Sequence, residues 1–487
     1  MSHICHKHYL LKFFTVILTA VAATSLDGCT GISIATPATI AQTTKGSITV
    51  VAQSAPSKTT SVQSLRLQVT SALLNPGNVQ LVATPVTVDL ANITTGSAFL
   101  STATAPVGLY SSLTITFSNP SLSITNTTGN PIAIPGGTCA VQSTCTFVPP
   151  VTTSQSTVTT GALPLTVIAG KATSFALTLS MSKILQSNDS LDFSTGVDTG
   201  LDQAGTSGSP TTSGNEPLDA EIGVVQSVAN GQLVLVSESN DVSPSITIDS
   251  DTSFNFPSPI CAANNTSCIA AGEVVVAALS LTSAGTLHAD SIAFADAANA
   301  KLLQGTVVAI SPSSSSFQIL VNKSFGFTTD PSPDDSTATI TLEAGTVFGI
   351  SSVAYPTVSG TSFSSLNSMV VGQTVLVDVA ASSFLPNASS AQVFLTDSTA
   401  SGTISALSNS ETFTLTNYPA EQDNSSPITS MTTVQTGIGT LYRNLTPASY
   451  SSLINGQSVS VTGPLFNTSP TPTLASDQIS LHASTDQ

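Results

Sequence analysis

Histidine is scarce beyond the N-terminal stretch: after residue 8 only His288, in GTLHADS, and His482, in SLHAS, remain. A serine or cysteine nucleophile needs a base beside it, so these two imidazoles are the ones such chemistry would draw on. Both fall around the terminal strand of a repeated unit, at different offsets, and read as half-exposed strand residues. Serine and threonine are too abundant for any one to stand out, and no G-x-S-x-G occurs. Glycoside hydrolysis would instead need paired carboxylates. Asp249 and Asp251 (IDSDTSF) alternate, which on a strand puts both on one face, and Asp330, Asp334 and Asp335 share a loop. Turn or edge positions account for both groups. Asp189, Asp192, Asp198 and Asp202 carry charge suited to calcium but lack the D-x-D-x-D-G spacing of a binding loop. Tyr110, Tyr355, Tyr418, Tyr442 and Tyr450 are scattered singly, so packing is expected rather than a sugar-stacking platform. No catalytic residue, metal-ligand set or cofactor motif emerges, and no phosphate-cradling glycine loop. The expectation is a protein that is not an enzyme. A hydrolase built on Asp249 or Asp251 is the remote alternative.

The cysteines say more. Residues 1–29 have the form of an export signal, with Lys7 and Lys12 ahead of an apolar core from Phe13 to Ala23. That core is shorter than the ~20 residues of a transmembrane span. Leu26-Asp27-Gly28-Cys29 follows and resembles the lipobox of bacterial lipoproteins, in which the cysteine is acylated and becomes the N-terminus. Leu26 and Gly28 match that pattern; Asp27 stands where a small or apolar residue is usual. The alternative is ordinary cleavage near Ala22 or Ala23, leaving Cys29 a plain thiol. With Cys5 removed and Cys29 lipidated, Cys139, Cys145, Cys261 and Cys268 remain, and four cysteines allow three connectivities. Local pairing, Cys139 with Cys145 and Cys261 with Cys268, is favoured because each pair sits in one small polar loop. An oxidising compartment would make them disulfides. Zinc is the competing reading, but the spacing is wider than a zinc knuckle and the pairs fall in different expected domains.

These residues sit in a chain built for sheets. Of 487 residues, 40% are hydrophobic and 8% charged, against a usual ~25% charged. Val and Thr favour strands, while Gly, Asn, Ser and Pro favour turns. The formal net charge is −17 with no basic cluster, which speaks against nucleic acid as a partner. The negative charge is read as a solubility device.

Along the chain, residues 30–45 are small and polar and read as a tether. Residues 46–186 alternate apolar and polar positions, as in Leu65, Leu67 and Val69, or Leu113, Ile115 and Phe117. Period-two alternation without helical crossovers predicts a β-sandwich, closing with a hairpin that turns at Ala169-Gly170-Lys171. Residues 187–219 are acidic and rich in Gly and Ser, as expected of a linker. The remainder repeats an order three times, over 220–298, 301–398 and 400–484. Each unit opens with a glycine in a β-branched strand (Gly223, Gly305, Gly402) and later carries a G-[EQ] pair before another strand, at Gly272-Glu273, Gly372-Gln373 and Gly456-Gln457. Each is expected to be a small β-barrel of about five strands. The fold class is therefore all-β: an N-terminal β-sandwich followed by three tandem small β-barrel-like repeats.

The opening GSITVVAQSAP, the middle PVTVDLANI with APVGLYSSLTITF, and the late LTVIAGKATSFALTL resemble an uncharacterised bacterial family, domain of unknown function 4382. The repeated G-x-[VI], G-[EQ]-x-V and closing A-D-x-I strand resemble a second, domain of unknown function 5666. These resemblances imply exported, often lipid-anchored proteins and no reaction. The expected function is a non-catalytic lipoprotein of the cell envelope, with a structural or adhesive role. Its partners would be the membrane, through the lipid on Cys29, and a polysaccharide or surface protein. A carbohydrate-binding envelope protein is the alternative.

Overall fold

The computed structural model describes residues 44–481 apart from several segments, the longest being 201–215 and 417–430. The described chain is all-β, with sheets and small closed barrels. Its helical content is one turn, Met181–Ile184, and four short 3₁₀ turns.

The alternating segments form a two-sheet sandwich. One sheet runs in the order Val197–Gly200, Ala172–Ser180, Lys45–Ala55, Ser97–Pro106, with Lys45–Ala55 parallel to Ala172–Ser180. The other is centred on Val62–Asn75 and Ser112–Thr125, which pair antiparallel. Leu65, Leu67 and Val69 and, across from them, Leu113, Ile115 and Phe117 are all buried in the core. Alternation fixed which face turned inward because a slip of one residue would have exposed the whole set.

Two expectations are corrected. Leu165–Val167 and Ala172–Ser180 do not pair as a hairpin around Gly170. The first joins Gly108–Tyr110, the second the parallel strand Lys45–Ala55. The turn at Gly170 (φ 67°) is present, but Lys45 and Ser47 capture its hydrogen bonds. Nor is all of 187–219 a linker. Phe193 stacks on Phe117 at 4.7 Å between ring centroids, and Leu191 is buried beside it. The stretch is acidic and rich in Gly and Ser, yet two large apolar side chains suffice to pin its first part to the sandwich.

Three five-stranded rings follow, and their pairing schemes coincide. In the second, strands Lys301–Ser311, Ser316–Phe325, Thr337–Ile350, Thr374–Val379 and Asn387–Leu395 close in the order one-two-three-five-four-one. The third and fifth strands are parallel and all other neighbours antiparallel. In the first ring, Glu216–Ala229, Gln232–Val236, Ile246–Thr247, Val274–Leu281 and Leu287–Ala295 pair in the same order, closed by the parallel contact of Ile246 with Leu287. In the last, Asp397–Ser405, Thr412–Thr416, Met431–Gln435, Ser458–Phe466 and Thr473–Ala475 do so again. Closure removes the exposed edges a five-stranded sheet would otherwise present.

The motif glycines have geometric jobs in these rings. A Cβ on Gly305 would lie 2.3 Å from the Leu320 carbonyl oxygen, and one on Gly402 2.6 Å from that of Thr416. Gly272, Gly372 and Gly456 adopt φ of 91°, 94° and 90°, a region L side chains avoid. The next residue's side chain then accepts from the amide three residues before it: Glu273 from Ala270 (2.7 Å), Gln373 from Val370 (2.7 Å), Gln457 from Ile454 (2.8 Å).

Candidate functional site

The densest group of titratable side chains is centred on His288. It lies on strand Leu287–Ala295, where period two places Asp290 on the same side. His288 Nδ1 is 2.9 Å from Asp290 Oδ1. Thr247 pairs with His288 across the closing parallel contact, which brings Asp249, two residues on, against the other ring nitrogen at 3.1 Å. Ser280, opposite His288 on the neighbouring strand, donates from Oγ to Asp290 Oδ1 at 2.8 Å. The histidine side chain is 9% exposed and that of Asp249 48%, so the array runs from the barrel wall to solvent.

Electrostatics follow this gradient. Burial alone pushes His288 toward the neutral form, but the hydrogen bonds and charges of Asp249 and Asp290 carry its pKa above the ordinary histidine value. Burial raises Asp290, and its bonds from Ser280 and His288 only partly offset this. Asp249 is lowered, first by its bond with His288 and then by the Asp251 amide. The ring therefore favours the imidazolium, a donor at both nitrogens. The serine contacts Asp290 and not His288, so the array lacks the nucleophile–base contact of acyl-transfer sites. Because the carboxylates flank opposite nitrogens, their oxygens do not converge with a ring nitrogen on a common point, as a metal ion would require. The arrangement is a clamp that ties the turn at 249–252 to the barrel.

His288 is thus buried and doubly bonded, where a half-exposed strand residue was expected. Asp249 and Asp251 also depart from expectation. They occupy a turn in which Asp249 Oδ1 accepts from the Asp251 amide at 2.8 Å, not one face of a strand. Sequence reasoning paired Asp249 with the wrong partner: the H-x-D spacing of His288 and Asp290 was legible, whereas the approach of Asp249 depends on closure of the ring.

A second acidic pair had no sequence signal. Asp397 and Asp477 stand 80 positions apart in the last ring, and Asp477 is hydrogen-bonded to Asp397. Burial first, then the facing carboxylate, pushes Asp477 well above the usual carboxylate range. The charge of Asp397 also contributes to raising Tyr355, after burial.

The cysteines pair locally, Cys139 with Cys145 and Cys261 with Cys268, each with Cα atoms 5.8 Å apart. Tyr110 is buried, its hydroxyl donating to the Pro106 carbonyl at 2.9 Å. Tyr355 packs on Phe466, and the Tyr450 hydroxyl lies 2.8 Å and 2.7 Å from the Ser408 and Thr412 carbonyl oxygens. Asp192 accepts from the Ser194 amide, and burial raises Asp189. Cys29, Asp202, Asp330, Asp334, Asp335, Tyr418 and His482 lie outside the described residues.

No family model matches the chain, and no curated protein matches it.

Proposed function

We propose that the protein is a non-catalytic module of the bacterial cell envelope, exported and held to a membrane by lipid on Cys29. Its β-domains would serve a structural or adhesive role toward a polysaccharide or surface protein. The observation that carries this reading is the pair of disulfides, which is compatible with an extracytoplasmic location. Among the described residues no helix is long and apolar enough to cross a membrane. The attachment point in this reading is the cysteine of LDGC, Cys29. Two of the three basic side chains of the rings have partners: Lys323 meets Glu221 at 3.7 Å and Lys301 lies 5.7 Å over the Phe327 ring. That argues for an uncharged partner such as a glycan or protein rather than nucleic acid. Feeding cells radioactive palmitate and fractionating them tests the proposal. Label in the membrane-bound wild type and its loss in Cys29→Ala are expected; a soluble, unlabelled wild-type product would reject it.

A further inference from the structure

One end of the sandwich carries exposed apolar side chains. The strand Lys45–Ala55 begins there, Ser97–Pro106 ends there, and the chain turns there ahead of Ala172–Ser180. Three large apolar side chains point outward in this small area: Val107 is 52% exposed, Leu109 63% and Ile168 55%. Backbone hydrogen bonds hold them together. The Val107 amide bonds the Thr44 carbonyl at 3.0 Å, Gly170 bonds Lys45 at 3.0 Å, and Leu109 pairs with Thr166. Gly46 is part of the same knot, since a Cβ there would lie 2.6 Å from the Ile168 carbonyl oxygen. Lys45 and Lys171 are exposed beside the apolar residues.

The charge distribution is consistent with this. Residues 30–200, which form the sandwich, carry Lys45, Lys58, Arg66, Lys171 and Lys183 against four acids, Asp89, Asp189, Asp192 and Asp198. Residues 201–487 carry Lys301, Lys323 and Arg443 against 22 acids. The chain as a whole is strongly acidic, yet its sandwich is close to neutral and the segments forming this tip contain lysines and no carboxylate. Apolar side chains flanked by lysines are the composition of a surface that sits in the headgroup region of an anionic bilayer. Position agrees with composition. Only 15 residues separate Cys29 from Lys45, and so short a segment spans at most ~55 Å when fully extended.

The geometry points to this tip, Val107, Leu109 and Ile168 with Lys45 and Lys171, as a second membrane contact that lies on acidic phospholipid. The inference rests on the lipid anchor proposed above, which would hold the tip near the bilayer. The acyl chains on Cys29 would supply the affinity, and the tip contact would fix how the sandwich lies on the bilayer.

Site-directed quenching tests it on the full chain. Leu109→Cys carries a bimane dye, with Ile438→Cys, fully exposed on the last ring, as control. Both positions are solvent-facing, so neither label disturbs a core. Acylated protein is placed on vesicles of phosphatidylethanolamine and phosphatidylglycerol containing a spin-labelled lipid. Quenching at 109 and not at 438 is expected. Equal, weak quenching at both, with the protein still on the vesicles, would overturn the tip. A chain that proves not to be acylated refutes the anchor instead. The tip is then read with the unacylated chain on the same vesicles, where Lys45→Ala with Lys171→Ala should lower partitioning roughly 30-fold. Unchanged partitioning in that variant would overturn it.

Discussion

At the residue scale, the His288 clamp makes a pH-dependent contribution to stability. Its folded-state pKa lies above the ordinary 6.5, so the stabilisation is fully present below 6.5 and is lost as pH rises through the folded value. Asp249 acts from the other side. Its pKa is lowered from 3.8, so its share is present above 3.8 and is lost as pH falls through the folded value. His288→Gln should lower stability by on the order of 1 kcal/mol near pH 6, the half-exposed Asp249 being screened by water. It should also flatten the decline of the melting temperature as pH rises above 6.5. Parallel pH profiles in the two proteins would contradict the clamp. Asp477 carries the opposite lesson. Its raised pKa means that its stabilisation is present below 3.8 and is lost as pH climbs through the folded value. Asp477→Asn keeps a donor toward Asp397 without the charge, so it should be more stable than the wild type at about pH 8 and nearly alike at about pH 3. Chemical denaturation at the two pH values reads this, and a variant destabilised at both would refute the raised pKa of Asp477. Half of this chemistry was legible. The H-x-D spacing could be read because it is local, whereas Asp249 and Asp477 acquire their partners through strand pairings that a sequence does not display.

At the scale of elements, the G-[EQ] pair illustrates what a repeated motif encodes. The glycine supplies a left-handed turn, and the acid or amide that follows caps the loop by accepting a backbone amide. Gln373 does more than its counterparts are seen to do, for its Nε2 also donates to the Leu465 carbonyl in the next ring at 2.7 Å. Gln373→Ala leaves both backbone groups without this fully buried partner and should cost about 1–3 kcal/mol in urea unfolding. No change in the midpoint would show that the bond to Leu465 is idle. Alternation and turn residues were legible because they are consequences of half-burial. The false hairpin at Gly170 had the same signature as a true one. What separated them was the parallel partner Lys45–Ala55, more than a hundred residues away.

At the scale of the whole molecule, the units meet through apolar surface. Ile222, Val276 and Ala293 of the first ring form one cluster with Leu302, Phe325 and Phe394 of the second. Phe466 and Ala475 of the third ring belong to the core of the second. Arg66 of the sandwich donates to the Asn322 carbonyl of the second ring at 2.9 Å. Composition announced sheets, but it could not announce these junctions, which draw on residues that read as ordinary strand positions. The proposed role depends less on any of them than on one covalent event near the N-terminus. Peptide mass spectrometry of the mature protein from a bacterial membrane fraction tests it most directly. The account expects a chain beginning at Cys29 and bearing diacylglycerol on its sulfur; a chain beginning near residue 23 with Cys29 as a free thiol would contradict it.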